Sequence, residues 1–116
     1  MKRTIQILII GVLFMGTANL FGQEKKSEKF KVYGNCGMCE TRIEKAAESV
    51  GGVITADWDK ESKMITVRFG GEKATLDDIH QAIADVGHDT EKVEAEDKVY
   101  EGLPTCCHYD RPEKNK

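Results

Sequence analysis

The amino-acid sequence predicts an α+β sandwich in which a four-stranded antiparallel sheet carries two helices on one face, in the order βαββαβ. Three observations predict it. Two stretches place apolar residues at helical spacing: Ile43, Ala46, Ala47 and Val50, then Leu76, Ile79, Ala82, Ile83 and Val86. Short alternating runs surround them, from Phe30 to Tyr33, Ile54 to Trp58 and Ile65 to Phe69. Glycines at Gly51-Gly52, Gly70-Gly71 and Gly87 break the runs where turns are needed.

Taken in order, residues 1–22 read as a signal peptide. Lys2 and Arg3 make a basic start, Ile5 to Met15 an apolar run, and Thr17 to Gly22 a smaller, more polar exit. The run is short for a membrane span, so cleavage near Gly22-Gln23 is expected, with retention as an anchor as the alternative. Residues 23–28 are a charged linker. Phe30-Lys31-Val32-Tyr33 begins the domain proper, residues 29–95, as its first strand, and Gly34-Asn35 opens a loop. The first helix runs from Cys39 to Val50. Ile54, Ala56 and Trp58 alternate with polar residues, as do Ile65, Val67 and Phe69, so the two stretches pair as a hairpin around the polar turn at Asp59 to Lys63. Thr75 caps the second helix, with Asp78 three residues on. Glu91 to Ala95 is a weak final strand, and residues 96–116 form a tail.

Split β-α-β units in this order give the ferredoxin-like arrangement. Its core is expected from Phe30, Val32, Ile43, Ala47, Val50, Ile54, Ala56, Ile65, Val67, Leu76, Ile79, Ile83 and Val86. By helical phase His80 falls on the surface.

Charge excludes one class of partner. The chain has 17 Lys and Arg against 20 Asp and Glu, interleaved throughout, and shows no cationic stripe for nucleic acid. Loss of Lys2 and Arg3 with the signal peptide takes the net charge from -3 to -5.

The chemistry lies in four cysteines, Cys36 and Cys39 as a C-x-x-C and Cys106-Cys107 as an adjacent pair. Cystines staple best across long loops, and neither local pair closes one, so metal binding or redox chemistry is indicated. Cys36 and Cys39 fall where strand gives way to helix. Amide N–H groups and the helix dipole there lower a thiol pKa and favour thiolate. Thiolate selects soft ions such as Cu(I), Zn(II), Cd(II) and Hg(II) over Mg or Ca. Two sulfurs do not fill the four positions of structural zinc, whereas two-coordinate Cu(I) accepts them and leaves room for an incoming donor.

Gly34-Asn35-Cys36-Gly37-Met38-Cys39 before the Ile43/Ala46/Ala47 helix resembles the heavy-metal-associated domain, the family of copper chaperones, copper-ATPase modules and the mercuric periplasmic binding protein. The likeness extends over about Lys29 to Ala95 and includes Gly52-Val53 and Gly87. It implies a ferredoxin-like fold, metal ligation by Cys36 and Cys39, and exchange with metal donors or acceptors such as a metal transporter. Two positions depart from the family. Gly34 stands where Met is usual, and His88 stands where many bacterial members carry an aromatic residue. That loop lies beside the metal loop in the family, which makes His88 a candidate third ligand. A solvated loop histidine is the plainer expectation.

Cys106, Cys107 and His108 are three further candidate ligands in a row. A second metal site, an arm closing over the first, a vicinal or intermolecular disulfide and an incidental tail all fit them. Tyr100, Pro104 and Tyr109 fit packing that docks the tail, and Met38 is an exposed thioether in the loop.

Together these readings imply an exported heavy-metal-binding protein, periplasmic or secreted. It would be a monomeric Cu(I) carrier that holds one ion between Cys36 and Cys39, passes it on by ligand exchange, catalyses no reaction and is not inserted in the membrane after signal cleavage. The alternatives are a thiol-disulfide oxidoreductase using the same C-x-x-C and a module whose cysteines merely form a cystine. The first lacks the proline expected opposite its active pair, since Pro104 and Pro112 both lie in the tail. No other catalytic motif occurs, and His80, His88 and His108 lack zinc-enzyme spacing.

Overall fold

Strand β3 (Met64–Gly70) lies at the middle of a three-stranded antiparallel sheet, between β1 (Lys25–Lys31) and β2 (Val53–Trp58). The computed structural model describes residues 25–70 and 73–113. Helix α1 (Gly37–Glu48) links β1 to β2, and α2 (Leu76–Asp85) follows β3. Among the described residues, a short helix α3 (Asp97–Glu101) and a 3-10 turn (Thr105–Cys107) follow. This is the expected α+β, ferredoxin-like class. The expected signal peptide, residues 1–22, lies outside the described residues.

The alternating residues of β3 account for its central place. Ile65, Val67 and Phe69 are buried, and they face Phe30 of β1, Ala56 and Trp58 of β2 and the apolar sides of both helices. Ile43 and Ala47 of α1 and Ile79 and Ile83 of α2 complete the layer, while Val50, Leu76 and Val86 are half-buried at its edge. Ile54, expected inside, is 45% exposed. A register shift between Val53 and Thr55 breaks the alternation there, and Ile54 turns to solvent. Thr75 caps α2 as expected, its hydroxyl accepting the Asp78 N–H at 3.1 Å.

Both outer stretches differ from the sequence expectation. β1 begins at Lys25, inside the expected linker, and pairs with β3 from Lys25↔Gly70 to Lys31↔Met64. Pairing is made by backbone, so this strand needed no apolar signal. At the other edge, Glu91 to Ala95 forms no strand, and Val32↔Thr90 remains as an isolated bridge. The backbone there is committed elsewhere. Thr90 Oγ1 accepts from Lys92 N–H and Val93 N–H at 3.1 and 3.0 Å, the Ala95 N–H donates to Asp89 Oδ1 at 2.7 Å, and the Ala95 carbonyl accepts from Arg111 at 2.6 Å.

His80 is a second correction. It is buried, stacked on Phe30 at 3.8 Å between ring centroids, with Nδ1 2.6 Å from Thr90 Oγ1. Burial, and then the nearby Lys92, lower its pKa, so the neutral ring is favoured.

The tail packs against the domain through specific contacts. Leu103, Cys107 and Tyr109 are buried. Gly87, at φ 108°, ends the turn after α2, and a Cβ there would stand 3.0 Å from Leu103 Cδ2. Tyr109 Oη donates to the Gly87 carbonyl and accepts from the Asp89 N–H, each at 2.8 Å. Arg111 grips buried Asp89 with Nε on Oδ2 and Nη2 on Oδ1, both at 2.8 Å, reaches Asp97 at 2.7 Å and lies over the Tyr100 ring. Tyr100 Oη donates to the Tyr109 carbonyl at 2.7 Å. Tyr100 and Tyr109 therefore dock the tail as the sequence suggested.

Candidate metal centre

The loop after β1 delivers Cys36 as the N-cap of α1, with extended backbone, and Cys39 in the first turn. Cys36 itself stands at this helix end, and its sulfur meets the Cys39 backbone N–H. The two Sγ atoms lie 3.6 Å apart. Their environments differ sharply. Cys36 is partly exposed, and its pKa falls from the usual 9.0 to about 6, first through the Cys39 backbone N–H that donates to its sulfur. Desolvation opposes this shift, and hydrogen bonds with the thiols of Cys106, Cys39 and Cys107 reinforce it. Cys39 is fully buried, and burial, then the Cys107 thiol, pushes it up to about 11. The open side of the pair therefore favours thiolate and the closed side thiol.

Support beneath the loop comes from Trp58, which the sequence shows as an alternating residue of the second strand, outside the expected core, and which is buried. A Cβ on Gly34 would stand 3.2 Å from each of Cys39 Cβ, Ile43 Cδ1 and Trp58 Cη2. The Trp58 indole, held by its Nε1–H to the Val32 carbonyl at 3.0 Å, packs against that position. Lys63, at φ 66°, donates from Nζ to the Gly34 carbonyl at 2.8 Å and fixes the same turn from the β2–β3 side.

The tail cysteines arrive at the same place. Cys106 Sγ is 3.4 Å and Cys107 Sγ 3.7 Å from Cys36 Sγ, and the two tail sulfurs are 4.0 Å apart. The ligand atoms of Cys36, Cys106 and Cys107 all lie within 4.8 Å of one another. Arg42, one turn beyond Cys39 on α1, donates from Nη1 to Cys107 Sγ at 3.2 Å. Exposed Met38 accepts from the Cys106 thiol at 3.6 Å. The hydrogen bond to Cys36 raises the pKa of Cys106. Arg42 was not singled out in the sequence, although its i+3 spacing from Cys39 places both on one helix face.

The histidines do not join this group. His88 is fully buried, against the expectation of a solvated loop residue, and it has no place in the sulfur cluster among the described residues. Its Nδ1 lies 2.8 Å from the Tyr33 carbonyl, so Nδ1 carries the proton, and its ring stacks on Tyr109 at 5.4 Å. Nε2 is buried with no hydrogen-bond partner. Burial depresses its pKa to about 4; the bond to Tyr33 opposes that shift and the Arg42 charge adds to it. The neutral His88 ring thus serves as a packing group. His108 is exposed and stacks on Tyr100 at 5.1 Å.

No helix among the described residues is long and apolar enough to cross a membrane. No family model matches the chain. Among curated proteins it is 31% identical over 55 residues to the copper chaperone CopZ of Staphylococcus aureus, a match spanning 47% of this chain and 81% of that protein. A solved CopZ metallochaperone superposes with a TM-score of 0.55 at 30% identity, covering 56% of this chain and 98% of that one. The N-terminal domain of a potential copper-translocating P-type ATPase from Bacillus subtilis, in its Cu(I)-loaded state, gives a TM-score of 0.55 at 25% identity over 58% of this chain and 85% of that one.

Proposed function

This chain belongs to the heavy-metal-associated domain family, and from that premise we propose that it carries Cu(I) on Cys36 and Cys39 and hands it on by exchange of thiolate ligands. One observation carries the reading: two sulfurs 3.6 Å apart at a helix start, one of them acidic enough to be thiolate near neutral pH. A soft monovalent ion is satisfied by so few thiolates, and this favours Cu(I) over ions that demand a full shell of oxygen donors. Ion capture displaces the Cys39 proton, since the ligand form is thiolate. Partly exposed Cys36 is the natural point of attack for a partner's thiolate, and buried Cys39 the last to let go. The copper chaperones and the Cu(I)-loaded ATPase domain among its relatives support this cargo and suggest a metal transporter as partner. The basic start, apolar run and polar exit of residues 1–22 support export, with the mature chain acting as a periplasmic or secreted monomer.

Anaerobic titration of the reduced chain against a chromophoric Cu(I) chelator tests the reading. Uptake of about one Cu(I) per chain is expected, with tight uptake lost in Cys36→Ser/Cys39→Ser, because only the loop pair combines thiolate character with a helix start. Retention of wild-type uptake by that double variant would reject the assignment. The split acidity of Cys36 and Cys39 also fits a thiol-disulfide oxidoreductase, so insulin reduction is assayed on the same sample. Brisk reduction with negligible copper uptake would favour that alternative.

A further inference from the structure

We propose that Cys106 and Cys107 supply two further ligands to the ion held by Cys36 and Cys39, so that this chain closes a four-sulfur cage around one thiophilic ion. The inference rests on the carrier reading and adds the ligand count. Its first support is spacing. A tetrahedral tetrathiolate site with metal–sulfur bonds of about 2.3 Å has sulfur–sulfur edges of roughly 3.8 Å. Four of its six edges are found here, at 3.4, 3.6, 3.7 and 4.0 Å, with Cys36, Cys106 and Cys107 mutually within 4.8 Å and Cys39 joined to them through Cys36.

The second support is that the tail is built to bring these sulfurs here. Cys107 is fully buried, and the residues after it are fastened by Tyr109 on Gly87 and Asp89 and by the two-pronged Arg111–Asp89 pair. Such anchoring holds the second sulfur pair at high effective concentration over the first. The third support is charge. Four thiolates leave three excess negative charges around Cu(I) and two around a divalent ion; the Arg42 guanidinium already donates to Cys107, and the α1 N-terminus faces Cys36. His108 takes no part, being exposed and stacked on Tyr100.

The cage suits four-coordinate soft ions, and it obliges a partner to displace the tail sulfurs before it reaches Cys36. Titration of the full reduced chain with Cd(II) alone, followed by thiolate-to-metal charge-transfer absorbance, counts the ligands. Absorbance per bound ion should fall by about a quarter in Cys106→Ser and by about half in Cys106→Ser/Cys107→Ser, because each thiolate contributes its own transition. Cys106 is exposed, so its single variant keeps the fold even where loss of buried Cys107 does not. Wild-type absorbance per ion in Cys106→Ser overturns the cage. Failure of the wild-type chain to take up Cd(II) overturns it too. In either event the Cu(I) titration of the Cys36/Cys39 pair decides the carrier reading separately.

Discussion

Lowering the pH should destabilise this domain through His88. The ring is fully buried, and its pKa is depressed from 6.5 to about 4 by burial, with the Arg42 charge adding to the shift and the bond to the Tyr33 carbonyl and the Asp89 charge opposing it. The unfolded chain therefore binds a proton that the folded chain refuses between those two values. Stability from the neutral ring is complete above pH 6.5 and is lost as pH falls toward 4. One pKa unit is worth about 1.4 kcal/mol, so the loss from this group alone amounts to roughly 2 kcal/mol at pH 5 and roughly 3 kcal/mol at pH 4. Denaturant unfolding of the reduced, metal-free protein from pH 7.5 to 4 measures it. His88→Phe keeps a ring against Tyr109 and removes the titration, while His80 and the carboxylates titrate in both proteins. The difference between the two pH profiles isolates His88. Parallel profiles would refute the argument.

Three other predictions concern the loop and the tail. Alkylation of Cys36 by iodoacetamide in the reduced apo protein should rise with an inflection near pH 6, two or more units below an ordinary thiol, and an inflection near 9 would contradict the helix-start account. Arg111→Gln removes the partner of buried Asp89 and should cost about 3 kcal/mol in denaturant unfolding, while making Cys107 several-fold more reactive to maleimide as the tail lifts. Gly34→Ala presses a methyl against Trp58, Ile43 and Cys39 and should destabilise the reduced protein by about 1 to 3 kcal/mol; an unchanged denaturation midpoint would show that the packing has slack.

The parts of the fold that were legible are those where side-chain period coincides with burial. Ile43, Ala47, Ile79 and Ile83 repeat at helical spacing, Ile65, Val67 and Phe69 alternate, and all are buried. Lys25 to Lys29 show why β1 was underestimated. Their side chains are exposed on both faces, and the ladder to β3 rests on backbone groups that composition does not reveal. The final strand failed for the opposite reason. Val93 and Ala95 carry a plausible pattern, yet Thr90 and Asp89 offer the local backbone stronger partners than an edge ladder does.

The site divides along the same line. Cys36 and Cys39 could be placed from sequence because three residues of spacing at a helix start constrain both sulfurs locally. Cys106 and Cys107 could only be recognised as ligand types, since their position depends on contacts across the chain. Asp89 and Arg111, 22 residues apart, look like two more surface charges in a sequence where acids and bases alternate throughout. Asp89 is nevertheless buried, and burial alone would push its carboxyl up; the Arg111 guanidinium and the Ala95 N–H reverse that and hold it below the usual carboxylate range. A carboxylate kept charged in the interior binds its arginine strongly, and that arginine comes four residues after Cys107. The sulfur pair is thereby set over the loop by an ion pair whose strength arises only once the fold has removed it from water.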